Sequence, residues 1–255
     1  MSGLSISTSN ALLGVTPSIL NSAGVGQVAA NISDPDHSLN YQSGTSSDDF
    51  IIFYPAVSDI SYVAISGQTS ASLFSSTIEL WSGTPLGGGT KIDEVIITRN
   101  NNIMFTFPEQ DFASGLTVVF KTSPTTYQTI VTYIAAGKNL TISTGEQSGY
   151  KRNWLNRHLT QRTTTNLQVG PVSSLTQKKS LIGTLSLPSQ LSSFAEDEWQ
   201  TFIDFSFEQP FFIKEVSSKP QSSYICFDPS FETNSHSKTT SLDVLRLKFK
   251  VFNGL

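Results

Sequence analysis

The stretch EDEWQTFIDFSFEQPFFI, Glu196–Ile213, crowds six aromatic rings into eighteen positions. Three uses fit such a segment: the lining of a ligand pocket, a core helix running into a core strand, or an adhesive face for a partner subunit. Local signals decide between them. Pro188 stops a preceding strand, Ser192 and Ser193 offer N-caps, and Glu196, Asp197 and Glu198 sit where the helix dipole favours acids. Phe194, Trp199, Phe202, Ile203 and Phe207 then recur at helical spacing. The spacing predicts one amphipathic helix over about Phe194–Phe205, docked on a sheet. Gln209–Pro210 ends it, and Phe211, Phe212 and Ile213 begin a strand. Aromatic stripes of this kind are ordinarily core, so Trp199, Phe202, Phe211 and Phe212 are expected inside, with Phe249 from the C-terminal run.

Around this segment the chain reads as all-β. DFIIFYPA (Asp49–Ala56), SYVAISG (Ser61–Gly67), SSTIELWSG (Ser75–Gly83), KIDEVIITRN (Lys91–Asn100), NIMFTFPE (Asn102–Glu109), LTVVFKTS (Leu116–Ser123) and QTIVTYIAAG (Gln128–Gly137) are β-branched and aromatic runs broken by Gly, Pro, Asn and Ser. That is the pattern of a jelly-roll-like β-sandwich. Further on, Asn166–Ser189 reads as two or three strands. The ending SLDVLRLKFKVFNGL, Ser241–Leu255, reads as one long strand with an apolar face and a basic face of Arg246, Lys248 and Lys250. Its alternation breaks phase at Val244–Leu245, which predicts a β-bulge there.

Composition agrees with thin β layers that keep one face wet. Of 255 residues, 38% are hydrophobic and only 14% charged, against about 25% charged in a typical soluble protein. Such a polar, weakly charged surface suits proteins that pack many copies together or work outside a cell. The net charge of -4 is unevenly spread. Residues 1–149 carry more acids than bases, and the remainder carries more bases than acids. We therefore expect two domains, 1–148 and 149–255, with a linker near Gly145–Lys151.

Chemistry-bearing constellations are sparse. His37, His158 and His236 are scattered, and the sequence has no paired-histidine metal motif, no GxSxG elbow and no Walker motif. No cofactor is expected. The single cysteine, Cys226, lies in SSYICF and reads as a buried small hydrophobe. DPDHS (Asp34–Ser38) and SSDD (Ser46–Asp49) gather acids that read as solvated turns in preference to a Ca²⁺ site. The basic run YKRNWLNRHLTQR, Tyr150–Arg162, interleaves Trp154 with Arg157 and its neighbours. In an acidic chain it reads as a structural arm or subunit contact, not a nucleic-acid footprint. No apolar run approaches the ~20 residues that span a bilayer, and MSGLSISTSN lacks the pattern of a signal peptide. We therefore expect synthesis in a cytoplasm, with no membrane insertion.

SYVAISGQTS (Ser61–Ser70), TVVFKTSPTTYQTIVTYIAAGKNL (Thr117–Leu140) and, above all, the ending EDEWQTFIDFSFEQPFFIKEV, SSYICFDPSF and SLDVLRLKFKVFNGL carry a resemblance. In layout, over most of the chain, they resemble tail proteins of tailed bacteriophages. In that group a discoidin-like or galactose-binding-like sandwich precedes a domain similar to the tail-tube or distal-tail hub. The resemblance implies a non-enzymatic virion protein of the tail tip or baseplate, assembled as a homo-oligomeric ring. It also implies tube, hub and tape-measure proteins as partners, and it brings no catalytic residues. Arg246 and Lys248, with Trp154 and Arg157, are the candidate subunit contacts. The alternative is a carbohydrate-binding adhesin acting through the N-terminal sandwich on a host-surface glycan, with Trp81 and Tyr127 as stacking platform. An accessory domain of a secreted hydrolase is a third reading, against which the lack of paired His and acid motifs speaks.

Overall fold

The computed structural model describes residues 3–20, 28–36, 38–43, 49–70, 76–121, 128–142, 159–167, 170–178, 180–232, 235–237 and 242–252. The described residues are all-β apart from one helical segment and short 3-10 turns. Every paired strand is antiparallel. Tyr127, Trp154, Arg157, the expected linker and most of the Tyr150–Arg162 arm lie outside the described residues.

Two sheets form the sandwich. The outer sheet has the order β2 (Ser18–Leu20), β4 (Phe50–Tyr54), β9 (Leu116–Phe120), β6 (Thr77–Ser82), β7 (Thr90–Ile96). The middle sheet is β11 (Tyr133–Gly137), β5 (Val57–Ser66), β8 (Ile103–Phe112), and β3 (Tyr41–Gln42) pairs separately with β10 (Ile130–Val131). Phe50, Ile52, Ile78, Leu80, Val118 and Phe120 meet Val63, Ile65, Phe105, Ile134 and Ala136 between the two sheets. The GTPLGGG loop, residues 83–89, joins the antiparallel pair β6 and β7 as a hairpin connection. Thr84 caps its 3-10 turn by accepting from Gly87 N, and Gly88 sits at φ 78°, a left-handed position that suits glycine.

A third sheet lies beyond the middle one. Its order is β12 (Asn139–Ile142), β1 (Leu4–Ser7), β16 (Phe211–Lys214), β17 (Ser223–Phe231), β19 (Leu242–Phe252), β15 (Ser180–Leu191), with β18 (Ser235–Ser237) also on β19. Phe212 and Ile225 of this sheet pack against Tyr62, Ala64, Met104, Tyr133 and Ala135 of the middle sheet. The opposite face carries Phe211, Ile213, Tyr224, Cys226, Leu245, Leu247, Phe249 and Val251, covered by the helix. The layers therefore run outer sheet, middle sheet, third sheet, helix. The middle sheet is covered on both faces, contrary to the one-wet-face expectation. This explains why YVAI (Tyr62–Ile65) and YIAAG (Tyr133–Gly137) are unbroken apolar runs.

The third sheet also crosses the expected division at 148/149. β1 and β12 lie in the first range, yet Ser5 pairs with Lys214 and Ile6 with Ile213 of β16. β1 and β12 pair with each other from Leu4↔Ile142 to Ser7↔Asn139. The chain thus starts in the third sheet, builds the sandwich, returns to the third sheet and then completes it.

The opening segment is a core helix running into a core strand. Helical backbone runs unbroken through Ser192–Phe194, a π-helical stretch Ala195–Trp199, and Gln200–Glu208. It begins before and ends after the expected Phe194–Phe205. Leu191 holds the N-cap position without a side-chain cap bond, so Ser192 and Ser193 are helical residues and not caps. Trp199 and Phe202 are fully buried, with ring centroids 5.0 Å apart, and Phe202 meets Phe211 edge-on at 5.1 Å. Phe207 breaks the expected stripe: it is 66% exposed, because Ser206 takes the inward position.

The bulge expected in the last strand lies instead in its two partners. Pro188 and Ser189 of β15 stand opposite Val244, and Asp228 and Pro229 of β17 stand opposite Phe249. A proline cannot donate to a ladder, so each bulge falls where the ladder can spare a donor.

Candidate ligand-binding cleft

Two loops face each other where the sandwich meets the third sheet. One follows β7 and the other joins β16 to β17. Between them lies a cleft of about 420 Å³, lined by Val95, Thr98, Arg99, Asn101, Ser218, Lys219, Pro220, Gln221 and Ser222.

Each wall is fixed by its own hydrogen bonds. On the sandwich side Ile97 is fully buried and donates its N–H to Ser76 O at 2.8 Å. Buried Gln68 donates through Nε2 to Asn101 O at 3.0 Å and Arg99 O at 3.4 Å, and Asn101 N donates to Arg99 O at 2.8 Å. On the other side Lys219 N donates to Val216 O and Ser222 N to Lys219 O, each at 2.9 Å. Ser222 Oγ donates to Lys219 O at 2.7 Å, and Ser223 Oγ donates to Pro220 O at 3.0 Å. Two bonds join the walls: Met104 N donates to Pro220 O at 2.9 Å, and Gln221 Nε2 donates to Ile96 O. The cleft is thus held open in one shape. That lowers the ordering cost a ligand has to meet.

Its chemistry is mixed. Thr98, Asn101, Ser218 and Gln221 supply hydroxyl and amide groups, while the Ser222 hydroxyl is buried and spent within its own wall. Val95 and Pro220 supply hydrocarbon, and Arg99 and Lys219 supply positive charge. Neither loop stood out in the sequence. ITRN reads as the end of the strand Lys91–Asn100, whereas β7 ends at Ile96, and SSKPQSS lies about 120 residues away. The packing of the third sheet on the middle one, with the Met104–Pro220 and Gln221–Ile96 bonds, brings the two together.

The sequence candidates lie elsewhere. Trp81 stands half-buried on the open face of the outer sheet, and its Nε1–H donates to Glu79 Oε2 at 2.9 Å. Glu79 sits between Lys91 and Lys121, each 3.7 Å away. Lys121 also pairs with Asp49 at 2.7 Å, and Lys91 with Glu94 at 2.8 Å. These carboxylates hold both ammonium groups above the ordinary lysine range, through hydrogen bonds to Glu94 for Lys91 and to Asp49 for Lys121. Trp81 is therefore braced by an ion-pair network and does not share the cleft. Arg246 and Lys248 pair within their own chain to Glu232, which lies beside β17. The DPDHS acids form turns: Asp34 Oδ1 accepts from Asp36 N and Asp36 Oδ1 from Ser38 N, each at 2.9 Å. Among the described residues no three His, Cys, Asp or Glu gather as metal ligands, and no helix is long and apolar enough to cross a membrane. Burial pushes the Cys226 thiol well above its usual range.

No protein-family model matches this chain. No curated protein matches it either. Several solved structures are similar to about half of it. A chitosan-binding module of a chitosanase/glucanase from Paenibacillus sp. IK-5 is 17% identical over 51% of this chain and 99% of its own, with a TM-score of 0.40. A pectin-binding carbohydrate-binding module is 14% identical over 49% of this chain and 90% of its own, TM-score 0.37. The family 32 module of NanJ from C. perfringens, solved with galactose, is 14% identical over 50% of this chain and 94% of its own, TM-score 0.37.

Proposed function

We propose that the chain is a non-enzymatic carbohydrate-binding module whose ligand site is the cleft between the 97–102 and 215–222 loops. The cleft itself carries this reading. Its volume of about 420 Å³ is of the size that holds small ligands, roughly 300–1,000 Å³. Hydroxyl and amide groups on two rigid walls match the donors and acceptors of a sugar, and Val95 with Pro220 matches its C–H face. A host-surface glycan is the natural ligand in this reading. Calorimetric titration of the full chain with an oligosaccharide panel tests it, with two variants. Ser218→Trp fills the cleft from an exposed loop position and is expected to abolish binding, whereas Trp81→Ala is expected to leave it intact. Loss of binding in the Trp81 variant alone would move the site to the outer sheet.

A second reading, a virion structural component of a phage tail assembled as a ring, is favoured by one observation. β13 (Leu159–Leu167) and β14 (Gly170–Lys178) form a hairpin of nine residues a strand that pairs with no other strand among the described residues. Two-stranded hairpins are marginal alone and gain stability by packing on something else. In this reading the hairpin is the arm that reaches a neighbouring copy or another tail protein. Light scattering on the full chain and on a variant with 159–178 replaced by a short Gly-Ser linker tests it. Oligomers that vanish in the variant support the arm, and a monomer in both cases rejects it.

A further inference from the structure

We infer that the cleft selects acid-bearing sugars: a saccharide carboxylate is paired by Arg99 from one wall and Lys219 from the other. The inference rests on the carbohydrate reading above and names the ligand class of the same site.

Charge carries the argument. Among the described residues of the lining, Arg99 and Lys219 are the charged side chains and none is a carboxylate. This runs against the balance of the chain, which holds 20 acids to 16 bases. It runs further against the balance of the sandwich, where Lys91, Arg99, Lys121 and Lys138 stand alone against the acids. Three of these four bases are drawn into ion pairs: Lys91 and Lys121 as described, and Lys138 with Asp59 at 3.1 Å and Glu109 at 3.2 Å. Arg99 is placed at the cleft instead, on a loop whose backbone buried Gln68 holds in two places.

The two cations differ in what they supply. A guanidinium offers a planar fork that meets both oxygens of a carboxylate, and an ammonium acts as a point charge. Set on facing walls, they suit a compact anion bound between the walls. The neutral groups beside them, Thr98, Asn101, Ser218 and Gln221, suit the hydroxyls of the ring that bears it. Because the site is open to water, the attraction is screened by salt, and that gives a readout that shape complementarity alone would not produce.

Calorimetry on the full chain with trigalacturonate, its neutral counterpart galactotriose, and inorganic phosphate provides the test. Trigalacturonate is expected to bind about tenfold more tightly than galactotriose at low salt, the size of effect one charge-assisted hydrogen bond brings. The gap is expected to close as salt approaches about 0.5 M and to narrow in Arg99→Gln and Lys219→Gln. Equal affinity for the two saccharides, or a gap that survives both substitutions, overturns the charge selectivity and leaves the carbohydrate reading standing. Phosphate binding as tightly as trigalacturonate overturns the saccharide assignment and keeps an anion site. No binding of either saccharide by a chain with an intact circular dichroism spectrum overturns both.

Discussion

Lys214 is one residue in which layer packing becomes a measurable charge effect. It lies on the face of β16 that carries Phe212, so its stem enters the space between the middle and third sheets. It is 2% exposed, and its ammonium donates to Thr106 Oγ1 at 2.8 Å. Burial pushes its pKa down to about 8, against a smaller upward pull from Asp93. The folded pKa lies below the unfolded value of about 10.4, so the folded protein gives up this proton first. The contribution of Lys214 to stability is therefore full above the unfolded pKa, falls as pH drops towards about 8, and stays low below it. Lys214→Met removes the desolvated charge and is expected to stabilise the protein at neutral pH by about 1–2 kcal/mol. The advantage is expected to shrink as pH rises from about 8 to 9. Cys226, Tyr54, Tyr62 and Tyr133 are all pushed up by burial. They act in the opposite sense once their unfolded forms begin to ionise, at about pH 9 and above. The quantity to read is therefore the difference between the two proteins in urea denaturation. A difference that stays constant from neutral pH to about 9 would mean that the Lys214 ammonium is not desolvated.

At the scale of the element, the helix is held by its aromatic contacts and not by its ends. Trp199 meets Phe202 at 5.0 Å and Phe231 edge-on at 6.1 Å, and Phe202 meets Phe211. Trp199→Ala is expected to cost about 4 kcal/mol through the cavity it leaves. Phe207→Ser, at an exposed position, is expected to change stability by less than about 1 kcal/mol. Equal losses in thermal melts of the two variants would show that the helix buries a different face. This element was legible in the sequence because packing repeats its signal: period, capping acids and the Gln209–Pro210 stop agree. Its boundaries were not legible, because Leu191 occupies the cap position that Ser192 and Ser193 advertise. The longer strands of the sandwich were equally plain, since each carries several β-branched or aromatic residues, whereas the short β2 (SIL) and β3 (YQ) were not. β1 was not. LSIS has two apolar residues among serines, and what makes it a strand is non-local: β12 on one side and β16 on the other. The cleft was hidden for the same reason. Arg99 reads as the end of a strand and Lys219 as part of an unremarkable turn, and their juxtaposition follows from the packing of the third sheet on the middle one.

At the scale of the whole molecule, the layers predict how the chain responds to being divided. The composition step near residue 149 invites a cut between two domains, yet the third sheet needs strands from both sides of it. Without residues 149–255, β1 loses its β16 partner, and Tyr62, Met104 and Tyr133 lose Phe212 and Ile225. Tyr133 then also loses the stacked ring of Phe212 at 6.1 Å, and Ser7 Oγ loses the N–H of Phe212 at 2.8 Å. Each large apolar side chain uncovered costs about 1.5–3 kcal/mol, and a domain has only about 5–15 kcal/mol of net stability. Residues 1–148 expressed alone are therefore expected to melt at lower temperature and to bind a hydrophobic dye at the face of the middle sheet. Residues 149–255 alone lack β1 and β12 and are expected to fold poorly. Mixed or co-expressed, the two pieces are expected to re-associate and elute together on size exclusion, with the dye signal lost. If 1–148 instead unfolds in a single transition at the temperature of the full chain and shows no affinity for the second piece, the packing of the third sheet on the middle one contributes little. The boundary suggested by composition would then also be the boundary of folding.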